Sequence, residues 1–355
     1  MGSDAGASKG GRDGASAADA TGRGWRMPDE AHPHELTYMA WPTRRIWGAD
    51  TAGVRADIAG IARAVAAFEP VALLANERDV AAARKACGSG VEVVPIPVDD
   101  LWMRDTGPNF VVRDDGGIAG VDLNFNGWGG KQAHRRDGDV AREILADADI
   151  RRIRAPITGE GGSIEVDGRG TLMATESSLV NANRNPGRSR ADIERALEEL
   201  FGVTTVIWVD GVRGEDITDH HIDALARFSE PGVVVVSTPD DEAPRDVWTD
   251  AHDQARGVLD KAVDARGRRP EIVELPEPVD IGRRGAGFLA SYVNYYVVNG
   301  GVVMPRFGDR RADREAAAIV RELYPGREVV QVSVDTLGEG GGGIHCSTQQ
   351  LPKSR

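Results

Sequence analysis

The sequence predicts a mixed α/β fold in which one domain is assembled from similar modules. Three observations lead there. A helix followed directly by a strand-like run occurs three times, hairpin-like strand pairs lie between these units, and no linker interrupts the chain after Gly24. A doubly wound parallel sheet would instead alternate single strands with helices and contain fewer hairpins.

The first helix is expected over residues 51–67, where Val54, Ile58, Ile61 and Val65 form an apolar stripe on one helical face. Residues 70–75 follow as a buried strand. A hairpin over residues 109–125 turns at positions 114–117. The second helix opens at Ser189, with Asp192 in its first turn. It runs through Ile193, Leu197 and Leu200 and stops at Gly202, before a β-rich run at 203–209. A second hairpin over 292–304 turns at Asn299, Gly300 and Gly301. The third helix follows Asp309, directs Ala316, Ile319, Val320 and Leu323 inward, and breaks at Pro325 and Gly326, ahead of a strand at 328–334.

Composition narrows the class. The 355 residues are 41% hydrophobic and 28% charged, as in a soluble globular protein with an extensive core. No apolar run approaches the roughly 20 residues of a membrane span. Residues 1–24, rich in Gly, Ala, Ser and Asp, lack apolar periodicity and are expected to be a disordered tail. They carry neither a signal-length hydrophobic stretch nor adjacent arginines, so the expected location is the cytoplasm. The only cysteines, Cys87 and Cys346, are far apart, which is no disulfide framework. A formal net charge of −13 disfavours nucleic acid and anionic membranes as partners and mildly favours cationic ligands, although solubility alone would account for it.

The chemistry-bearing residues fall in four segments. The run GEGGGGIHCSTQQ at 338–350 places four glycines, 340 to 343, just before His345 and Cys346. Such a run is costly to order and is kept where backbone must take unusual dihedrals or lie close to a ligand. A flexible loop ahead of a buried structural cysteine is the alternative. A nucleophilic cysteine needs a cation, donor or base beside it. His345 is adjacent but expected to point elsewhere, so the productive histidine should come from another part of the chain.

The run DITDHHIDALARF at 216–228 offers His220, His221 and Asp223. His221 and Asp223 share a face if this segment is extended, pairing a proton shuttle with a carboxylate for a cation. Zinc is the rival use, but the usual metal-ligand spacings are missing. DDLWMRDTGP at 99–108 and GEGGSIEVD at 159–167 contribute Asp105 and Glu160. Taken singly, these read as a surface ion pair with Arg104 and an ordinary loop acid. Together, several loop carboxylates, a histidine and a cysteine are what hydrolysis of a guanidinium requires. Acids bind the planar cation in bidentate fashion, and a thiolate attacks its carbon.

Ordered blocks across residues 27–352 then resemble the agmatine deiminases, which stand with bacterial peptidylarginine deiminases among guanidino-group-modifying enzymes. The blocks are MPDEAHPHELTYMAWP, WMRDTGP, NFNGWGGK, EGGSIEVDGRGTLMATE, NRNP, ITDHHIDALARF and GGGGIHCSTQQLP. The resemblance implies a single catalytic domain over 25–355, folded as a fivefold pseudo-symmetric α/β propeller of ββαβ modules around a substrate channel. It implies that Cys346 is the nucleophile forming an amidino-thioether and that His221 is general acid, then base. Asp105 and Asp223 would grip the guanidinium, Glu160 would orient His221 and the substrate, and Trp102 would line the channel. It implies no metal or organic cofactor, a small cationic guanidino substrate, a homo-oligomer as one arrangement, and a place in putrescine and polyamine metabolism. For agmatine the products would be N-carbamoylputrescine and ammonia.

Three positions depart from the family pattern. His220 stands where Gly or Glu is common. Ile217 stands where agmatine-specific members carry an acid four positions before the histidine, and Ala31 replaces a common aromatic. A deiminase of another small guanidino compound or of peptidyl arginine, and an amidinotransferase of the same fold, are the alternatives. A catalytically silent binder of cations would have no use for a nucleophile and proton shuttle.

Overall fold

The computed structural model describes residues 24–240, 242 and 244–354. The expected N-terminal tail, apart from Gly24, lies outside them. Among the described residues, sixteen strands form five sheets. In chain order these are β1 (His34–Ala40), β2 (Val71–Leu74), β3 (Val91–Val94), β4 (Asn109–Val112), β5 (Ile118–Asp122), β6 (Arg151–Arg154), β7 (Ile164–Val166) and β8 (Thr171–Thr175). They continue with β9 (Thr205–Val209), β10 (Ala226–Glu230), β11 (Val233–Thr238), β12 (Glu271–Pro276), β13 (Tyr296–Val298), β14 (Gly301–Arg306), β15 (Glu328–Ser333) and β16 (Gln349–Pro352).

The same unit recurs in each sheet. An antiparallel pair, β4/β5, β7/β8, β10/β11 or β13/β14, is followed by a helix and then by a strand parallel to the second of the pair. The helices are Asp137–Asp147, Arg190–Phe201, Val247–Leu259 and Arg310–Leu323. The fifth unit joins the two ends of the chain. β16 pairs antiparallel with β1, Thr51–Ala66 supplies the helix, and β2 and then β3 add in parallel. The fold is thus mixed α/β and built of ββαβ units, as the recurrence of helix-then-strand predicts.

Local chemistry explains where the helices start and stop. The Thr51–Ala66 helix buries Val54, Ile58, Ile61 and Val65 completely, in one core with Val302, Val303, Ala316 and Val320. Ser189 caps the Arg190–Phe201 helix by accepting from the Asp192 amide, while the Asp192 carboxylate accepts from the Ser189 amide at 2.9 Å. That helix ends at Gly202 in the left-handed region, φ 66°. Asp309 accepts from the amides of Arg311 and Ala312 to start the Arg310–Leu323 helix.

Two expectations need adjustment. Ile319 and Leu323 are only partly buried, the inward face of the last helix being Ala312, Ala316, Ala317 and Val320. The second hairpin begins at Tyr296 rather than at 292, because residues 291–295 form a loop on the site described next.

Candidate active site

Each of the five junctions between consecutive units contributes to one place. Trp102 and Asp105 lie between β3 and β4, Glu160 between β6 and β7, and His221 and Asp223 between β9 and β10. Asn294 lies between β12 and β13, and Cys346 between β15 and β16. Residues far apart in sequence converge because the junctions meet at one place, four of them lining a single cavity and the β6–β7 junction backing it through Glu160.

That cavity has a volume of about 290 Å³, and Cys346, His221, Asp105, Asp223 and Trp102 all line it. Glu160 does not. It is fully buried behind His221, with Oε2 3.4 Å from Nε2, and is ion-paired at 2.9 Å with the equally buried Arg184. Five of the six residues expected from the sequence therefore face one cavity, and the sixth backs the histidine.

The cysteine sits at the end of the glycine run for a steric reason. A Cβ on Gly342 would lie 2.2 Å from the Trp102 ring, and one on Gly343 would lie 2.4 Å from Asn294 Oδ1. Only bare backbone lets Trp102 and Asn294 approach this closely. Asn294 in turn donates to Cys346 Sγ at 3.2 Å, and its Oδ1 accepts from the Cys346 amide at 3.4 Å. Cys346 Sγ is 3.5 Å from Asp223 Oδ2.

The histidine is held differently from the sequence expectation. Residues Ile222–Ala224 form a short 3-10 turn rather than an extended strand, yet His221 and Asp223 both reach the cavity from it. Just upstream, Asp219 and His220 have φ of 62° and 67°, a conformation that side chains with a Cβ adopt at a cost. The tight reversal brings His221 Nδ1 to 3.7 Å from Asp105 Oδ1. Asp105 is itself held by the indole N–H of Trp128 at 2.9 Å and the Gly162 amide at 3.0 Å.

Burial and neighbouring charge set the protonation pattern. Burial alone would strip the proton from His221, but the Asp105, Glu160 and Asp223 carboxylates outweigh it and push the imidazole up to about 9. Burial pushes the Cys346 thiol well above its ordinary value, and repulsion from Asp223 and Asp105 adds to it. Burial also raises Asp105 against the opposing pull of His221, with Asp223 and Glu160 adding to the rise. Glu160 is the reverse case: burial raises it, while His221 and Arg184 hold it below the usual range. The cavity thus presents a neutral thiol, an imidazolium and carboxylates, an arrangement that accepts a cation.

Sequence reasoning missed several contributors. Asn294 left a trace only as a polar residue inside the apolar run YVNYYVV. Arg104, expected at the surface, is buried against Glu30 at 3.2 Å. Cys87 is buried in the core and does not line the cavity, and burial pushes its thiol up to about 11, which fits a structural role. Among the described residues, no group of three or more His, Cys, Asp and Glu is placed to hold a metal ion, and no helix is long and apolar enough to cross a membrane.

Known proteins resemble this chain over nearly its whole length. The chain is 41% identical to the agmatine deiminase of Stutzerimonas stutzeri over 356 residues, covering 93% of this chain and 96% of that protein. It is 40% identical to the agmatine deiminase of Pseudomonas aeruginosa over 362 residues, covering 94% and 96%. The solved agmatine deiminase of Enterococcus faecalis superposes with a TM-score of 0.88 at 31% identity, covering 94% of this chain and 97% of that one. Fold and relatives together define an enzyme, a hydrolase acting on C–N bonds. More narrowly, the chain belongs to the Porphyromonas-type peptidyl-arginine deiminase family, whose model matches residues 26–352.

Proposed function

We propose that this enzyme hydrolyses the guanidino group of agmatine to N-carbamoylputrescine and ammonia, with Cys346 as covalent nucleophile. The observation that carries this reading is the convergence of a thiol, an imidazolium and the Asp105 and Asp223 carboxylates on one cavity. Agmatine is the substrate named for the relatives, and the cavity wall carries further acids, Asp50, Asp216 and Glu339, suited to a cationic substrate.

In this reading the guanidinium enters between Asp105 and Asp223, and Trp102 packs against it. Burial and the repulsion of the two carboxylates keep Cys346 protonated; the substrate's positive charge offsets that repulsion, so on binding the thiol releases its proton to solvent and the thiolate forms. The thiolate attacks the central carbon. His221 gives its proton to the departing nitrogen, ammonia leaves, and an amidino-thioether remains on Cys346. His221, now neutral, takes a proton from water as the water attacks. Collapse expels the sulfur, which takes up the proton of the new hydroxyl as the carbonyl forms, and releases the ureido product. Glu160, fixed by Arg184, orients His221 and stabilises the imidazolium. No metal or organic cofactor enters these steps.

Residues 25–355 act in this reading as one catalytic domain, the five ββαβ units being blades of a fivefold pseudo-symmetric propeller around the cavity, in a cytoplasmic enzyme of polyamine metabolism. Ile217 in the cavity wall favours a second reading, in which the substrate is another small guanidino compound whose tail meets an apolar contact there.

Ammonia release from agmatine, free arginine, an arginine peptide and guanidinoalkylamines of other lengths tests both. Release from agmatine is expected to exceed the others, and Cys346→Ala to retain less than about one part in a thousand of it. Preference for another guanidine would select the second reading. Undiminished activity in Cys346→Ala would refute covalent catalysis.

A further inference from the structure

His345, expected to point away from the chemistry, does turn from the cavity, but into a cluster of buried charges directly beneath it. Its Nδ1 lies 2.7 Å from Asp223 Oδ2 and its Nε2 lies 2.9 Å from Glu30 Oε2. Both ring nitrogens thus face carboxylate oxygens, which only a ring donating from both satisfies fully. Glu30, from the MPDEAHPHE segment that the proposed mechanism leaves unused, is the hub. It also meets Arg104 at 3.2 Å and Arg227 at 2.9 Å, and accepts from the Val297 amide at 2.8 Å. Arg227 reaches Glu165 at 3.4 Å. Arg104, Arg227 and His345 are interleaved with Glu30, Glu165 and Asp223, and all six side chains are nearly inaccessible to solvent. An unbalanced charge in such a place would be strongly unfavourable.

The consequence reaches the cavity through Asp223. Its Oδ2 is taken by His345, while its Oδ1 is buried without a hydrogen-bond partner, and Asp223 lines the cavity. A buried, unpartnered acceptor at a cavity wall awaits a donor from the ligand. We infer that His345, clamped by Glu30, is a positioning residue: it locks the Asp223 carboxylate in the rotamer that leaves Oδ1 free for a guanidinium N–H. This deepens the proposed function and rests on it for the identity of the substrate, though not for the geometry.

Two near-isosteric variants separate positioning from mere packing. An Asn at 345 keeps a donor where Nδ1 stands, toward Asp223. A Gln extends its donor toward Glu30 and leaves Asp223 Oδ2 with only the Cys346 thiol at 3.5 Å. The expected result with agmatine is that His345→Gln raises KM at least about tenfold with kcat changed by less than about threefold, while His345→Asn recovers most of the loss. Glu30→Gln is expected to resemble His345→Gln more weakly. Circular dichroism melts identify any variant that fails to fold. Equal behaviour of the folded Asn and Gln variants, or a loss confined to kcat, would overturn the inference.

The functional reading fails separately, if the unaltered chain releases no ammonia from agmatine. Calorimetric titration of guanidinium chloride into Cys346→Ala, with Asn or Gln at 345, needs no turnover. Weaker binding with Gln supports the inference, and equal binding overturns it.

Discussion

At the residue scale, Cys346 shows how little a nucleophile's sequence neighbours reveal of its environment. The glycine run and the lone His-Cys pair mark it, and the need for a distant histidine points to His221. Asn294, which touches the sulfur, carries no comparable signal, because a polar residue in an apolar run is as readily a capped turn. Nor could sequence distinguish a lowered from a raised thiol pKa. That depends first on how deeply the fold buries the sulfur, and then on two carboxylates, Asp223 and Asp105, brought to it by different junctions. The raised value has a direct consequence. A thiol at an ordinary value is a few per cent ionised at pH 7, and each unit upward removes about a factor of ten. Alkylation of substrate-free Cys346 by iodoacetamide should be at least about tenfold slower at pH 7 than that of a free thiol, and its rate should still be climbing above pH 9. A rate plateau near neutrality, the mark of a pre-formed thiolate, would contradict this.

At the element scale, the helix limits were legible wherever a cap or breaker is encoded locally. Ser189 with Asp192, Gly202, Asp309 and the pair Pro325 and Gly326 all act where expected. Elements whose shape is dictated by tertiary packing were not. An extended segment around His221 would put His221 and Asp223 on one face, yet Ile222–Ala224 folds into a 3-10 turn after two positive-φ residues. The hydrogen bond from Thr175 Oγ1 to the His220 carbonyl, across 45 residues of sequence, helps to hold that reversal. The glycine run can be tested as an element. Gly342→Ala would drive a methyl group into the Trp102 ring, so the loop or the indole must move. The expected outcome is a loss of kcat/KM of about 10²-fold, the cost of misplacing reacting groups by about an ångström, with a destabilisation of about 1–3 kcal/mol. Kinetics and thermal unfolding of the same variant measure the two effects.

At the scale of the whole molecule, five units with little mutual sequence similarity place one junction each around one cavity, and β16 joins the last unit to β1. The helix-then-strand step was readable in three of the five units, where the apolar stripe is clear, and not in those built on Asp137–Asp147 and Val247–Leu259. The pairing of the two chain ends was not, since nothing local encodes a partner some three hundred residues away. This closure also explains why Glu30 near the start and His345 near the end sit 2.9 Å apart beneath the site. All five junctions must meet for the proposed chemistry to work, and its defining event is transfer of the amidino carbon to sulfur. Acid-quenched enzyme taken during turnover of agmatine, digested and analysed by mass spectrometry, should carry a mass gain equal to agmatine less ammonia on the peptide containing Cys346, and none on that containing Cys87. Ammonia release with no adduct on Cys346, or with the adduct on another residue, would contradict the mechanism.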